Sequence, residues 1–351
     1  MTDPLTGAAT WPADGFVLVD KPQAMTSQRA VTQVKKALGV RKAGHAGTLD
    51  AMATGLLIVA VSRATRLLGY LSGKDKQYEA TIRLGQATTT DDADGELLGE
   101  VIDATGLTDE AIGSAMRRYL GDIEQVPSTV SAIKVDGRRA YARARAGEEV
   151  VLASRPVTVT RFEVIQRHNS APWLDLDVVV ECSTGTYVRA LARDLGRDLG
   201  VGGHLTQLRR TKIGDLNVRD AVLLEDVGAA DLIDMVDMAR HIAPLVEVDD
   251  DLARQISVGR ALDLALPADL AGLVAGERLV ALYRRDPEDS TRACPVIVLT
   301  GPVGVHDDHL MPNHSHDLTL ESSRTQPLPE DSTTGLVRRP FADGISEEGQ
   351  E

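Results

Sequence analysis

Residues 44–55 have the sequence GHAGTLDAMATG and lead directly into the apolar run at residues 56–61. They place one carboxylate, Asp50, among glycine, alanine and threonine. Small neighbours leave room for a bulky group to approach that side chain, and glycines let the backbone come close to a ligand. The segment therefore predicts a binding pocket in front of a buried strand. In the alternative interpretation, Asp50 caps a single helical turn that ends at Gly55.

Periodicity on both sides of this pocket predicts a mixture of strands and helices. Alternating polar and apolar residues indicate strands, and apolar residues at helical spacing indicate helices. The predicted elements are a strand at residues 15–19, a helix from Thr26 or Ser27 to about Leu38, strands at residues 56–61 and 78–84, a helix at residues 107–120, a strand at residues 174–182 and a helix that carries Leu191, Leu195 and Leu199.

Composition divides the chain into four parts. Residues 1–14 are predicted to be disordered, residues 15–243 to form the main domain, and residues 244–300 to form a small second domain. Residues 301–351 are rich in Pro, Ser, Asp and Glu, which predicts a disordered acidic tail. Half of the eight histidines lie in this tail, and they are interpreted as a fortuitous cluster because no core would fix them as metal ligands. These are His306, His309, His314 and His316.

Composition also argues against a membrane protein or a secreted protein stabilised by disulfides. No apolar run approaches the roughly 18 residues of a membrane span, and the acidic N-terminus lacks a signal pattern, so a cytoplasmic location is expected. The two cysteines, Cys182 and Cys294, have no metal-binding spacing. Each is expected to be a reduced core residue on a strand.

The net charge of −14 is distributed unevenly along the chain. Residues 21–220 carry a net charge of +4, whereas residues 221–351 carry −15. Local fields steer a polyanion more than the total charge does. A nucleic acid therefore remains a possible partner of the N-terminal body.

Three side chains of the main domain are candidates for chemistry. The sequence has no Walker loop, no Rossmann fingerprint and no Gly-x-Ser-x-Gly elbow. What remains is Asp50 as a nucleophile, Tyr78 on a strand face, and Arg189 near the start of a helix. The helix dipole disfavours a cation there, so Arg189 is expected to have a specific anionic partner. The alternatives are a core tyrosine and a surface arginine paired with a helical neighbour such as Asp194.

Two charged segments have less specific patterns. The acidic turn at residues 88–95 invites a calcium-loop interpretation, but the required phase puts Val101 where a bidentate Glu is needed. A metal hydrolase built on His45 with Asp91, Asp92 and Asp94 is therefore the least favoured hypothesis. Residues 126–151 are long, basic and without a core pattern, which suggests an arm over a ligand. A solvated surface hairpin is the alternative.

Seven motifs follow one another between residues 20 and 210: DKP, GHAGTLDAMATGLL, KQYEATIRLG, TTTDDADG, PSTVSAIKVDGRRAYARARAG, GTYVRALARDLG and GGHLTQLRR. Together they resemble the TruB-type family of bacterial tRNA pseudouridine-55 synthases. The resemblance implies an α+β pseudouridine synthase fold with a mixed, largely antiparallel central sheet and a small PUA-like C-terminal domain. It also implies that uridine 55 in the T-loop of tRNA loses its N-glycosidic bond, turns over, and is rejoined to the same ribose through carbon.

The resemblance assigns three catalytic roles. Asp50 would be the nucleophile that attacks the everted nucleotide, and Arg189 would pair with it to keep it ionised and aimed. Tyr78 would stack on the flipped base and move a proton from the sugar. The usual proline after the catalytic aspartate is replaced by Ala51, which could lower the rigidity of the loop.

The resemblance also implies a substrate-binding set. His45 would fill the gap left by the everted base, although by itself it could be a satisfied loop histidine. Lys21 would lie beside the site, with an exposed post-strand lysine as the alternative. Leu208, or alternatively Leu205, would pack against the pocket. Cations of the arm would contact phosphates without reading bases, namely Lys134, Arg138 and Arg139.

The expected partner is the T-arm of tRNA, bound by a monomer that needs no metal, cofactor or obligate protein partner. An alternative hypothesis from another functional class is a tRNA-binding or tRNA-folding module without catalytic activity. Both hypotheses predict salt-sensitive binding. They differ in whether Asp50 is required.

Overall fold

A computed structural model of the chain describes residues 14–129 and 152–299, together with the backbone of residues 134–135 and 138–139. In chain order its elements are β1 (Gly15–Lys21), α1 (Ser27–Ala37), β2 (Ala43–Ala46), β3 (Thr54–Val61), a 3₁₀ helix (Ser62–Leu67), α2 (Leu68–Ser72), β4 (Lys76–Leu84), β5 (Ala87–Thr88), β6 (Leu97–Leu98), α3 (Asp109–Arg117), β7 (Gly121–Gln125), β8 (Lys134–Val135), β9 (Arg138–Arg139), β10 (Arg155–Ser170), β11 (Trp173–Cys182), α4 (Val188–Asp198), β12 (Gly203–Ile213), β13 (Leu216–Asn217), a 3₁₀ helix (Val218–Asp220), β14 (Val222–Leu223), a 3₁₀ helix (Ala229–Asp231), α5 (Met235–Arg240), β15 (Leu245–Glu247), α6 (Asp250–Ser257), β16 (Leu270–Ala275), β17 (Arg278–Arg285) and β18 (Ala293–Val298).

Within the described residues, a central sheet of ten strands has the order β14-β1-β3-β12-β4-β11-β10-β7, with β2 on β3 and β13 on β12. Two strand pairs, β1 with β14 and β3 with β12, are parallel, and the other pairs in this sheet are antiparallel. The predicted mixed, largely antiparallel sheet is therefore confirmed.

The sheet has a different apolar layer on each face. In β1, Val17 and Val19 face one core, whereas Phe16 and Leu18 face the other, as the two-residue period of a strand requires. Helices α1 and α4 pack on the first face. Helices α2 and α5 pack on the second face, which also meets residues of the C-terminal sheet. Strand β3 lies between the two layers, which explains its nearly continuous apolar sequence.

Helix α1 has the predicted boundaries. The Thr26 hydroxyl accepts a hydrogen bond from the Arg29 amide and caps the first turn. The helix buries Ala30, Val31 and Val34 and leaves its polar side to solvent. Helix α3 is shorter than the predicted helix at residues 107–120, because Thr108 caps its start and the chain turns to β7 after Arg118.

A second sheet with its own core follows, in the order β15-β16-β17-β18. This confirms the prediction of a small C-terminal domain. One cysteine prediction is wrong: Cys182 is buried, but Cys294 is only half-buried, because it lies on the edge strand β18. Among the described residues no helix is long and apolar enough to cross a membrane. The predictions for the N-terminus and the acidic tail lie outside the described residues.

Candidate active site

The loop that carries Asp50 is hydrogen-bonded to α1 on one side and to the end of β1 on the other. Before Asp50, the buried Ser27 hydroxyl accepts a hydrogen bond from the Leu49 amide at 2.9 Å and donates one to the Leu49 carbonyl at 3.0 Å. After Asp50, the ammonium of Lys21 reaches the Ala51 carbonyl at 3.5 Å. The Asp50 carbonyl accepts from the Ala53 amide at 3.2 Å and closes a bend. The carboxylate is thereby presented from a fixed backbone.

Arg189 binds both carboxylate oxygens of Asp50. Its Nη2 donates to Oδ1 at 3.1 Å, and its Nε lies 2.9 Å from Oδ2. The Arg189 side chain is 3% exposed, whereas that of Asp50 is 38% exposed. A buried guanidinium thus holds a carboxylate that solvent or substrate can reach. The predicted anionic partner of Arg189 is confirmed, and the interpretation of Asp50 as a helix cap is not supported.

The acidic turn at residues 88–95 binds the Nη1 atom of the Arg189 guanidinium. Its Nη1 donates to the Thr90 carbonyl at 2.9 Å and lies 3.2 Å from Oδ2 of Asp92. Asp92 is itself fixed, since its Oδ1 accepts from the Thr90 hydroxyl and from the Asp94 amide. Asp91 forms an ion pair with Arg193 at 3.1 Å. In the part of the chain that the structure describes, there is no group of three or more His, Cys, Asp or Glu side chains that could hold a metal ion.

The start of α4 is fixed by a glutamine at the end of β7. The Gln125 side chain accepts from the Tyr187 amide at 2.8 Å and donates to the Tyr187 carbonyl at 3.1 Å. One turn beyond Arg189, Arg193 donates to the Val126 carbonyl at 2.8 Å. These contacts set the position of α4, and with it the direction of the Arg189 side chain.

Opposing effects act on the acidity of Asp50. Burial raises the pKa of its carboxyl above the ordinary value, and the nearby charge of Asp92 acts in the same direction. Arg189 and Lys21 stabilise the anion and lower the pKa. The net direction is upward, so Arg189 offsets only part of the desolvation penalty.

Tyr78 is the third residue of β4 and lies opposite Val180 of β11 and Arg210 of β12. It is 8% exposed and belongs to the core layer on the site face. Burial raises the pKa of its phenol, and the nearby guanidinium of Arg210 opposes that rise. The phenol therefore stays neutral and can donate a proton.

Arg210 is a site residue that the sequence analysis did not single out. Its side chain is almost completely buried. Its Nε donates to the Leu56 carbonyl at 2.8 Å, and its Nη2 donates to the Gly47 carbonyl at 3.1 Å. These contacts join the two ends of the Asp50 loop to β12, at the position opposite Tyr78. No signal in the sequence distinguishes Arg210 from its neighbour Arg209, which instead pairs with Asp20.

Lys21 contacts the Asp50 loop, and His45 precedes this loop in the chain. Lys21 is fully buried and donates to the Pro22 and Met25 carbonyls at 2.9 and 2.7 Å, so the alternative of an exposed lysine is wrong. Burial lowers the pKa of Lys21 to about 8, although Asp50 opposes the change. His45 is half-buried in β2, and burial lowers the pKa of its imidazole, which therefore stays neutral.

The remaining predicted residues differ in what the structure shows. Leu208 is 7% exposed and Leu205 is fully buried, and both pack in the core layer on the site face. Lys134 pairs with Arg139 in the backbone ladder of the β8–β9 hairpin, which also contains Arg138. The side chains of that hairpin lie outside the described residues.

Comparison with known proteins gives concordant results. Residues 35–188 match the family described as TruB family pseudouridylate synthase (N terminal domain), and residues 189–247 match the tRNA pseudouridylate synthase B C-terminal domain. The chain is 50% identical over 290 residues to the tRNA pseudouridine synthase B of Cutibacterium acnes, covering 81% of this chain and 98% of that protein. It is 54% identical over 289 residues to the protein of the same name from Rhodococcus jostii, covering 81% and 93%.

Among solved structures, one titled as a Cbf5-Nop10-Gar1 complex contains a chain that superposes with a TM-score of 0.62. The two chains are 23% identical, and the match covers 86% of this chain and 92% of that one. A chain from an archaeal box H/ACA sRNP Nop10-Cbf5 complex superposes with a TM-score of 0.61 at 21% identity, covering 86% and 93%. At these identities the likeness concerns the fold alone.

Proposed function

The chain belongs to the TruB family of pseudouridylate synthases, and we propose that it uses Asp50 as the nucleophile of the family's reaction. It is a tRNA pseudouridine synthase, an isomerase that converts uridine in tRNA to pseudouridine. The proposed target is uridine 55 of the T-loop. The reaction replaces the bond between ribose C1′ and N1 of uracil by a bond between C1′ and C5. The C5 proton leaves and N1 gains one, so no atom is gained or lost.

The observation that carries the proposal is the two-point binding of the accessible Asp50 carboxylate by the buried Arg189 guanidinium. A carboxylate acts as a nucleophile only when it is ionised and aimed. Burial opposes ionisation, and Arg189 opposes that effect while fixing the direction of both oxygens. This geometry serves a covalent step better than it serves passive RNA binding, for which an exposed arginine would be more useful.

The other site residues receive roles in handling the everted nucleotide. Tyr78 provides an aromatic face next to the pocket, which suits stacking on the base. To take the proton from the sugar, its phenol must first lose its own proton, a step that burial opposes and Arg210 favours. His45, being neutral, can stack in the space that the base leaves without bringing a charge into the RNA. Leu208 packs against the pocket wall. Lys21 acts as a positioning residue, because its ammonium donates to main-chain carbonyls around the loop.

The remaining parts of the chain complete the proposal. Residues 15–243 form the catalytic domain, and residues 244–300 form the small C-terminal domain. Lys134, Arg138 and Arg139 contact phosphates from the arm at residues 126–151. The protein acts in the cytoplasm as a monomer, without a protein partner, metal or cofactor.

The test is replacement of Asp50 by Asn, which removes the nucleophile and keeps the shape of the side chain. Pseudouridine formation in a tRNA transcript should fall below detection, while tRNA binding should change little. A variant that isomerises uridine at the wild-type rate would exclude Asp50 as the nucleophile. A wild-type protein that binds tRNA but never forms pseudouridine would favour the non-catalytic module.

A further inference from the structure

The 29 residues before Asp50 have an unusual charge composition. Residues 21–49 contain six Lys and Arg residues and no Asp or Glu, although the whole chain has 52 acidic residues in 351. Because the net charge of −14 repels a polyanion, any attraction of RNA must come from such a local excess of cations. This segment leads directly into the candidate active site, so its exposed cations lie close to Asp50 in the sequence.

Four of these cations are exposed. Helix α1 buries its apolar residues against the site face of the sheet, which leaves Arg29 and Lys36 in solvent. They are seven residues apart, hence on the same side of the helix and about 10 Å apart along its axis. Arg41 and Lys42 are exposed in the turn that follows. We call these four residues the α1 cationic surface.

Structural roles account for only part of this surface. A lysine in the last helical turn, such as Lys36, is stabilised by the helix dipole, but Arg29 lies in the first turn, where a cation is disfavoured. Arg41 and Lys42 lie beyond the helix. None of the four is in an ion pair with a carboxylate of the described residues, whereas several other exposed arginines are. Examples of the paired kind are Arg63, Arg118 and Arg197.

The surface is continuous with the candidate active site. Lys42 precedes strand β2, in which His45 is the third residue. At about 3.3 Å per residue, the α-carbons of Lys42 and His45 are about 10 Å apart. Ala43, which is on the same face of β2 as His45, packs against the core layer that α1 covers. The cations therefore flank the place where the everted nucleotide would enter.

We propose that the α1 cationic surface binds backbone phosphates of the T-arm, next to the nucleotide that enters the Asp50 pocket. This inference rests on the proposed function, since it assumes tRNA as the substrate. Contacts to phosphates fix the register of an RNA without reading its bases. The surface thus sets where the T-arm lies, and the pocket selects the uridine.

The experiment compares full-length wild type with the triple variant Lys36→Gln/Arg41→Gln/Lys42→Gln. Binding to an isolated T-arm stem–loop is measured across a range of salt concentrations. Each lost phosphate contact should reduce the slope of log K against log salt by about 0.7–0.9, hence by about 2–3 for the triple variant. The single-turnover rate at saturating protein should stay at the wild-type value, because the pocket is unchanged.

Two further variants make the test specific. Arg117→Gln removes an exposed cation from the last turn of α3 and should leave the slope unchanged. Arg29→Gln should weaken RNA binding but not lower the free energy of unfolding, because it removes an unfavourable interaction with the helix dipole. An unchanged slope in the triple variant would overturn the proposal. The proposal would also be overturned if the triple variant lost affinity for whole tRNA but kept its affinity for the isolated T-arm. Failure of the proposed function would show separately, as a wild-type protein that forms no pseudouridine.

Discussion

The guanidinium of Arg189 lies side-on to the carboxylate of Asp50, with its Nε 2.9 Å from Oδ2 and its Nη2 3.1 Å from Oδ1. The two residues are 139 positions apart in the chain. They meet because the Asp50 loop and the first turn of α4 lie on the same face of the sheet. This pairing couples the direction of the nucleophile to the position of a helix.

Replacing Arg189 by Lys should therefore slow catalysis while keeping the positive charge. A single ammonium cannot bind both oxygens of Asp50 and also reach the Thr90 carbonyl. A small misplacement of reacting groups can reduce the rate on the order of 100-fold. The measurement is the single-turnover rate of pseudouridine formation, with tRNA affinity as the control. A rate within twofold of wild type would show that the two-point geometry is unimportant.

The pH dependence of catalysis should report the charges around Asp50. The carboxylate attacks as an anion, so the rate falls as pH falls through its pKa, which burial raises. In Asp92→Asn a charge that raises this pKa is gone, so the acid limb should move to lower pH. In Lys21→Met a charge that lowers this pKa is gone, so the limb should move to higher pH. Shifts of the same sign in both variants would contradict this electrostatic account.

Loss of the Lys21 ammonium should also loosen the Asp50 loop. Lys21→Met keeps the length of the side chain but loses its donors to the Pro22, Met25 and Ala51 carbonyls. A buried acceptor that loses its donor costs about 1–3 kcal/mol, partly offset because a buried charge is removed. The turnover number should fall more than the Michaelis constant rises, because Lys21 acts on the nucleophile and not on the RNA. A change confined to the Michaelis constant would instead indicate direct contact with tRNA.

Much of this site could be predicted from local sequence, and the rest depends on long-range contacts. Arg189 was predicted to need an anionic partner because a cation at a helix start is unfavourable. Asp50 was predicted to line a binding pocket because its neighbours in the sequence are small. Arg210 was missed because nothing nearby distinguishes it from Arg209. Consecutive strand residues point to opposite faces of the sheet, and the register of β12 against β3 and β4 decides that Arg210 is buried while Arg209 reaches Asp20. Strand β12 itself was missed because its register shifts twice along β4, which breaks the alternation that sequence analysis relies on.

The close approach of β3 to β12 predicts an intolerant glycine. Gly55 has a φ of +102°, and a Cβ there would collide with the main chain of Arg210. Gly39 also has a positive φ, +65°, but a Cβ there would meet open space. Gly39→Ala should therefore cost about 1–2 kcal/mol for backbone strain alone. Gly55→Ala should cost several kcal/mol more, measured by denaturant unfolding. Equal losses would mean that the strands can separate without penalty.

The contact between Arg210 and Tyr78 predicts a shift that can be measured by spectroscopy. Arg210 holds the pKa of the phenol below the value that burial alone would give. Replacement of Arg210 by Gln should therefore raise the pKa of Tyr78, whereas Arg210→Lys should change it less because the charge is kept. The phenolate absorbance of each variant is titrated against that of the same variant carrying Tyr78→Phe, so that the difference isolates one tyrosine.

Catalysis should follow the same order in these variants. Both substitutions remove donors to the Leu56 and Gly47 carbonyls, so both should slow pseudouridine formation through the Asp50 loop. If Arg210 acted only as packing, the two variants would lose stability without any change in the titration of Tyr78. If it acts through the phenol as well, Arg210→Gln should show the larger shift in pKa and the lower rate at neutral pH. That joint dependence links the strand pairing at Gly55 to the chemistry at Tyr78 through one buried side chain.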